Sequence, residues 1–498
     1  MNIKIGITSE NIAEIKDGCI AIAFFEDRLN LNKDIEKLDS ALDDAIKNSI
    51  TNKLFRAQTD EIKTSYLKNQ GIKCIALIGL GKEKEFNLNK LMDSVSNLSK
   101  KLRAMDIKSF SIYLDSFSNR NFEFNAYLEK ITQAVALSLY QFTKFKTKDL
   151  DKIKKIDEVT IIVDKNNYDK ASRIADEAMI YAEAVNKTRD LINTPPNIAT
   201  PEYVANYAKE IARKNGLKFT VLDESQIEKL GMECYMAVAR ASVNKPRMFI
   251  LEYKGNNNEK PIVLVGKGLT YDTGGINTKP ANYMANMKDD KSGACSVIHI
   301  MEACAKLKPK VNVIGIGVMA ENAISGNAYK PDDVLKSYSG ITVEVIHSDA
   351  EGRMVLADAL AYSLKFNPKA IVDIATLTGA AIVALGYFAS PIMGNDEKLI
   401  NSIKKASEKS LEKVWQFPLW DEYEELIKSD VADIKHLNSD IDAGSIIGGI
   451  FLKHFVKDTP WAHIDIGGAA WAKQEKSYKP KGATGFGVRL LLDFLREQ

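Results

Sequence analysis

The first 194 residues of this 498-residue chain contain no proline; all 13 prolines lie at or beyond Pro195. Glycine is nearly as uneven, with 5 before that point and 24 after it. Proline and glycine are the strongest punctuation a chain has, so the break at Pro195 marks two regions of different construction. Cysteine is also scarce. Cys19, Cys74, Cys234, Cys295 and Cys304 are odd in number and form no CxxC pair. That excludes a thiolate zinc framework and a disulfide scaffold, and it suits a reducing compartment. Neither sign of charge dominates: 68 basic and 66 acidic side chains leave a net charge of +2. Such a balance gives no drive toward nucleic acid or a membrane surface. The longest early apolar run, CIAIAFF, falls far short of the roughly 20 residues that span a bilayer. No basic stretch leads into an apolar core at the N-terminus, so no secretory leader is expected. These absences together describe a cytoplasmic globular protein.

At roughly 100–200 residues per domain, the length predicts two or three domains. Residues 1–165 alternate apolar runs (KIGIT, GCIAIAFF, CIALIGLG, FSIYLD, EVTIIVD) with charged helical segments, the pattern of a small α/β domain. A helical stretch over 166–194 reads as a connector that stops at Pro195-Pro196. From 195 to 498 strands and helices alternate again. The strand runs PIVLVG, VNVIGIGVM, ITVEVIHS, AIVDIATL and WAHIDI are continuously apolar, as expected of strands buried on both faces. The fold class is therefore α/β: a small N-terminal domain, and a larger C-terminal domain around a mixed, mostly parallel sheet. In such sheets ligands bind beyond the C-terminal strand ends.

Two polar clusters fall there. The first, VGKGLTYDTGGINTKPANYMANMKDDKSGA, runs from Val265 to Ala294. It contains neither GxxxxGK[ST] nor a GxGxxG opening a helix, which argues against a phosphate cradle. Its glycines instead give the backbone freedom to bring Lys267 and Asp272 together, with Lys279 and Asp290 following. The second cluster is HSDAEGR. In an extended segment alternate residues point the same way, so His347, Asp349, Glu351 and Arg353 are expected on one side. Alone, either cluster reads as a solvated, ion-paired turn. Together, the four acids Asp272, Asp290, Asp349 and Glu351 would repel one another unless divalent cations relieved them. Carboxylate-rich ligation suits Mn²⁺, Mg²⁺ or Zn²⁺.

Six ordered blocks carry a resemblance: NTPPNIATPEYVA, VGKGLTYDTGG, MKDDKSGA, SDAEGRMVLADAL, DIATLTGA and GATGFGVRLLLDFL. From about Asn193 to the C-terminus they resemble the leucyl aminopeptidase (cytosol aminopeptidase) family of two-metal exopeptidases. The resemblance implies that Asp272 and Glu351 bridge two ions, that Lys267 and Asp290 complete one site, and that Asp349 completes the other. Lys279 and Arg353 would be the catalytic pair, and Met287, Thr376, Leu377 and Gly379 would line the substrate cleft. Also implied are two divalent ions per subunit (Mn²⁺ or Zn²⁺, with Co²⁺ and Mg²⁺ as alternatives), a bicarbonate at Arg353, and a homohexamer. The implied activity is removal of leucine and other residues from peptide N-termini. Two rival readings stand beside it: a DNA-binding role, as in some bacterial relatives, and a catalytically inactive scaffold. Three positions depart from the family pattern. His347-Ser348 replaces Asn-Thr, so His347 is either an extra ligand or a hydrogen-bond partner of the site. Lys291 replaces methionine and is expected to pair with Asp289 or another acid. Gly467 replaces alanine and would leave slightly more room if it lines the pocket wall.

Overall fold

The computed structural model describes residues 3–15, 18–67, 72–119, 122–256, 259–438 and 442–498. Two compact units emerge. The first is Met1–Glu183 with Gln474–Pro480, and the second is Ala184–Lys473 with Lys481–Gln498.

The first unit holds a six-stranded sheet. Its strands are β1 (Lys4–Thr8), β2 (Cys19–Phe24), β3 (Ile62–Tyr66), β4 (Cys74–Gly79), β5 (Ser109–Tyr113) and β6 (Glu158–Ile162), in the order β1-β6-β5-β2-β4-β3. All pairs are parallel except β3–β4. The interior strands β2 and β4 are buried along their whole length, which is why they read as unbroken apolar runs. The polar edge strand β3, sequence IKTSY, is the one that no apolar run announces. Helices α1 (Leu88–Ala104) and α2 (Phe124–Ser138) pack on each other beside this sheet.

The helix α3 (Tyr168–Asn193) ends just before the proline pair, and the division between the units falls within it. In the second unit the strands are β7 (Lys218–Leu222), β8 (Arg247–Tyr253), β9 (Ile262–Asp272), β10 (Val313–Asn322), β11 (Val334–Lys336), β12 (Thr342–Glu344), β13 (Ala370–Ala375), β14 (Ser390–Gly394), β15 (Val414–Gln416), β16 (Ile434–Lys435) and β17 (Trp461–Asp465). Eight of them form one mixed sheet, β15-β14-β17-β13-β9-β10-β8-β7, whose four central strands β17, β13, β9 and β10 are parallel. Helix α4 (Ser292–Leu307) covers one face, and α5 (Glu351–Ser363) with α7 (Gly444–Lys453) covers the other; between the last two the short helix α6 (Gly379–Leu385) follows β13. The sequence ITVEVIHS does not enter this sheet. Only Thr342–Glu344 is a strand, and it belongs to a separate three-stranded sheet, β11-β12-β16. No helix among the described residues is long and apolar enough to cross a membrane.

His299 lies on α4, fully buried, with Thr188 Oγ1 3.0 Å from Nδ1 and Tyr207 Oη 3.0 Å from Nε2. Burial pushes its pKa down from 6.5 to about 4. The native state thus holds this imidazole neutral, while the unfolded chain takes up a proton below about pH 6.5. The part of the stability that depends on this neutral imidazole should be lost as pH drops from about 6.5 toward 4. In thermal melts across that window, the Tm difference between His299→Gln and wild type should move in favour of the variant as pH falls; a difference that does not change with pH would show that His299 makes no such contribution.

Candidate metal centre

The site is built at the head of the central strands. Strand β9 continues through Asp272, so Lys267 and Asp272 lie within it and not in a loop beyond it. Five positions apart, they would face opposite sides of a regular strand. The register against β10 slips between them, with Leu269 opposite Ala320 but Asp272 opposite Asn322. That extra residue in β9 is a bulge, and it restores both side chains to one face. Beyond the strand, Gly274 takes φ +89, a conformation that side chains rarely adopt, and its N–H donates to Asp272 Oδ1 at 2.9 Å. Asn322 Nδ2 donates to the same oxygen at 2.8 Å. Asn322 is a site residue that motif reading passes over; its place at the end of β10, paired with Asp272, is the signal that would find it.

Asp290 is the penultimate residue of a short helical turn, Met287–Lys291, that leads into α4, and its Oδ1 accepts from Thr376 Oγ1 at 2.8 Å. Glu351 is the first residue of α5. One donor atom from each of Asp272, Asp290 and Glu351 lies within 4.8 Å of the others, and all three residues are buried. Lys267 Nζ sits 2.8 Å from Asp290 Oδ1 and 2.8 Å from Glu351 Oε1, and it donates to the Thr376 carbonyl at 2.8 Å. Lys279 Nζ lies 2.8 Å from Asp272 Oδ2 and also pairs with Asp349.

The electrostatics follow from burial and crowding. Burial first, and repulsion from neighbouring carboxylates second, raise Asp290 to about 6 and Asp349 and Glu351 to about 7. Burial alone would lower Lys267, but Asp290, Glu351 and Asp272 outweigh it and hold the ammonium above its ordinary value. Asp272, Glu351 and Asp349 do the same for Lys279. Asp290 Oδ2 and Glu351 Oε2 are buried without a hydrogen-bond partner among the described residues. Buried carboxylate oxygens left without donors, on groups raised by burial and then by mutual repulsion, fit a place for hard cations.

The expected alternation through His347–Arg353 does not occur. The backbone turns after β12 and becomes helical at Glu351. Residues two apart on a helix diverge by about 200°. Glu351 accordingly meets Lys267, while Arg353 Nη1 donates to the His436 carbonyl at 2.8 Å. Arg353 also lines a cavity of about 420 Å³ together with His347, Asp349, Leu377, Gly379 and Ile447. Its guanidinium is buried, and Nε has no partner among the described residues. His347 Nδ1 accepts the Asp349 N–H at 3.2 Å, so that nitrogen is already engaged by the backbone. Met287 opens the turn that carries Asp290 and is half-buried.

Two expectations about the departures need correction. Among the described residues Lys291 pairs with no acid at ion-pair distance. Its ammonium donates to three carbonyls, of Ile192 (2.9 Å), Thr194 (3.2 Å) and Lys288 (2.7 Å). An ammonium has three donors, and here the backbone satisfies all of them. Gly467 leaves no spare room: a Cβ there would stand 2.6 Å from the Thr378 carbonyl oxygen. His299 lies in the core, and His454 Nε2 is 2.8 Å from a Glu424 carboxylate oxygen.

Residues 186–492 match the catalytic domain, and residues 21–149 the N-terminal domain, of the cytosol aminopeptidase family. The chain is 38% identical to a probable cytosol aminopeptidase of Geobacter sp. (strain M21), over 99% of this chain and 100% of that protein. It is 40% identical to one of Persephonella marina (strain DSM 14350 / EX-H1), over 100% of both. Among solved structures it is similar to the bottromycin maturation enzyme BotP in complex with Mn. That likeness has a TM-score of 0.86 and 26% identity, and covers 97% of this chain and 99% of the other.

Gly352 makes room for the cluster. A Cβ at this position would lie 2.6 Å from Lys267 Nζ and Cε. The lysine tip can move, so Gly352→Ala should fold but push Lys267 off Asp290 and Glu351. Calorimetric titration with Mn²⁺ should show affinity weakened about tenfold or more, with helical content unchanged. Wild-type affinity in this variant would contradict the packing described.

Proposed function

The chain belongs to the cytosol aminopeptidase family, and on that footing we propose that it is a leucyl aminopeptidase that removes leucine and other residues from peptide N-termini with two divalent ions. The observation that carries this reading is the buried Asp272–Asp290–Glu351 cluster, whose only resident counter-charges at contact distance among the described residues are Lys267 and Lys279. Lys267, Asp272, Asp290, Asp349 and Glu351 would hold the ions, Mn²⁺ or Zn²⁺ by the hardness of the donors, with Co²⁺ and Mg²⁺ as the alternatives. Four carboxylates then balance two divalent charges, and Lys267 contributes a neutral amine once its proton has left. Bound there, the ions supply Lewis-acid polarisation of a peptide carbonyl and a water made acidic enough to attack.

The chain's own groups do the rest. Lys279 reaches the cluster from a half-buried position, and it would donate to the scissile carbonyl oxygen as negative charge develops there. Arg353 presents an unpartnered Nε–H in a buried setting at the cavity wall. Its planar fork would hold bicarbonate as the carrier of the proton from the attacking water to the leaving amine. Met287, Thr376, Leu377 and Gly379 would border the first side chain of the substrate; Leu377 and Gly379 do line the cavity. The protein would work in the cytoplasm as a homohexamer.

The test is release of the chromophore from a leucine anilide, with added Mn²⁺ and after chelation. Arg353→Ala should lower kcat about a hundredfold or more while two ions per chain remain. Asp272→Ala should lose metal and turnover together. Full activity and both ions in Asp272→Ala would refute the assignment.

A further inference from the structure

His436 follows the two-residue strand β16 and is completely buried. It makes four hydrogen bonds toward the site. Its backbone N–H donates to the Glu344 carbonyl at 3.1 Å. Ring Nδ1 accepts from the Ile346 N–H at 3.1 Å, and ring Nε2 lies 3.0 Å from the His347 carbonyl oxygen. Its own carbonyl accepts from Arg353 Nη1 at 2.8 Å. Those partners fix the tautomer. The Ile346 N–H needs an acceptor, so Nδ1 carries no hydrogen; a neutral imidazole then has its hydrogen on Nε2 and gives the His347 carbonyl a second donor beside the Ala350 N–H at 3.1 Å. Nδ1 also stands 3.1 Å from the Glu344 carbonyl oxygen, which is already satisfied by the His436 backbone. The edge-to-face ring of Phe451, with centroids 6.4 Å apart, closes the far side.

The surroundings give this contact its weight. Between the end of β12 at Glu344 and the start of α5 at Glu351 the chain has no regular structure. Beyond the midpoint, Ser348 is tied down by Asn277, Asn322 and Tyr329. At Ile346 and His347 the bonds that reach in from a distant part of the chain come from His436; the others at His347 are local, from the Asp349 and Ala350 N–H groups.

We propose that His436 is a positioning residue: its ring fixes the turn that delivers Asp349 and Glu351, and its carbonyl fixes Arg353, so one residue sets the distance between ligands and guanidinium. This rests on the aminopeptidase reading above. His436→Leu keeps comparable volume and removes both ring bonds. His436→Gln retains an amide donor for the His347 carbonyl. For His436→Leu we expect kcat for leucine anilide to fall about tenfold or more, KM to stay within about threefold, and two Mn²⁺ per chain to remain by elemental analysis. His436→Gln should return kcat to within about threefold of wild type. If His436→Leu does not fold, His436→Asn, too short to reach the His347 carbonyl, takes its place. Wild-type kcat in the leucine or asparagine variant would overturn the proposal, as would equal impairment in the glutamine variant, which would indicate packing alone. The unmodified chain is assayed alongside: its inactivity would contradict the aminopeptidase reading instead.

Discussion

Repulsion among Asp272, Asp290, Asp349 and Glu351 is the constraint around which the second unit is organised. Three of the four are buried. A buried carboxylate costs several kcal/mol unless a counter-charge is close by. Three of these groups respond by rising toward neutrality, and Lys267 and Lys279 respond by holding their protons more firmly. Lysines and carboxylates thus share a strained balance that two divalent ions can take over. A fold seeking stability alone would place apolar side chains here at less cost.

Each structural peculiarity near the site serves that convergence. The bulge in β9 turns Lys267 and Asp272 to the same face. Gly274 lets the chain double back so that its amide meets Asp272, and Gly352 clears the space Lys267 fills. The helical start at Glu351 separates the two roles of the HSDAEGR segment. Glu351 is sent into the cluster and Arg353 toward the cavity, where the carbonyl of His436 holds it.

Much of this was legible in the residues. Apolar runs located all strands of the N-terminal sheet except Ile62–Tyr66, whose polar edge sequence carries no burial signal. Lys267, Asp272, Lys279, Asp290, Asp349 and Glu351 were picked out as converging charges, and they do meet. The geometry of the second cluster was not legible, because alternation in HSDAEGR looks the same whether the backbone is extended or begins a helix. Asn322 and His436 escaped notice for another reason. Their partners lie 50 and 83 residues away, in Asp272 and Arg353, and nothing local announces them.

The most direct test of the central claim is anomalous diffraction from crystals grown with Mn²⁺. The account predicts two peaks per chain among Asp272, Asp290, Asp349 and Glu351, with the Lys279–Asp272 ion pair opened. A chain that binds Mn²⁺ elsewhere, or not at all, with Lys267 and Lys279 still seated among the carboxylates, would contradict it.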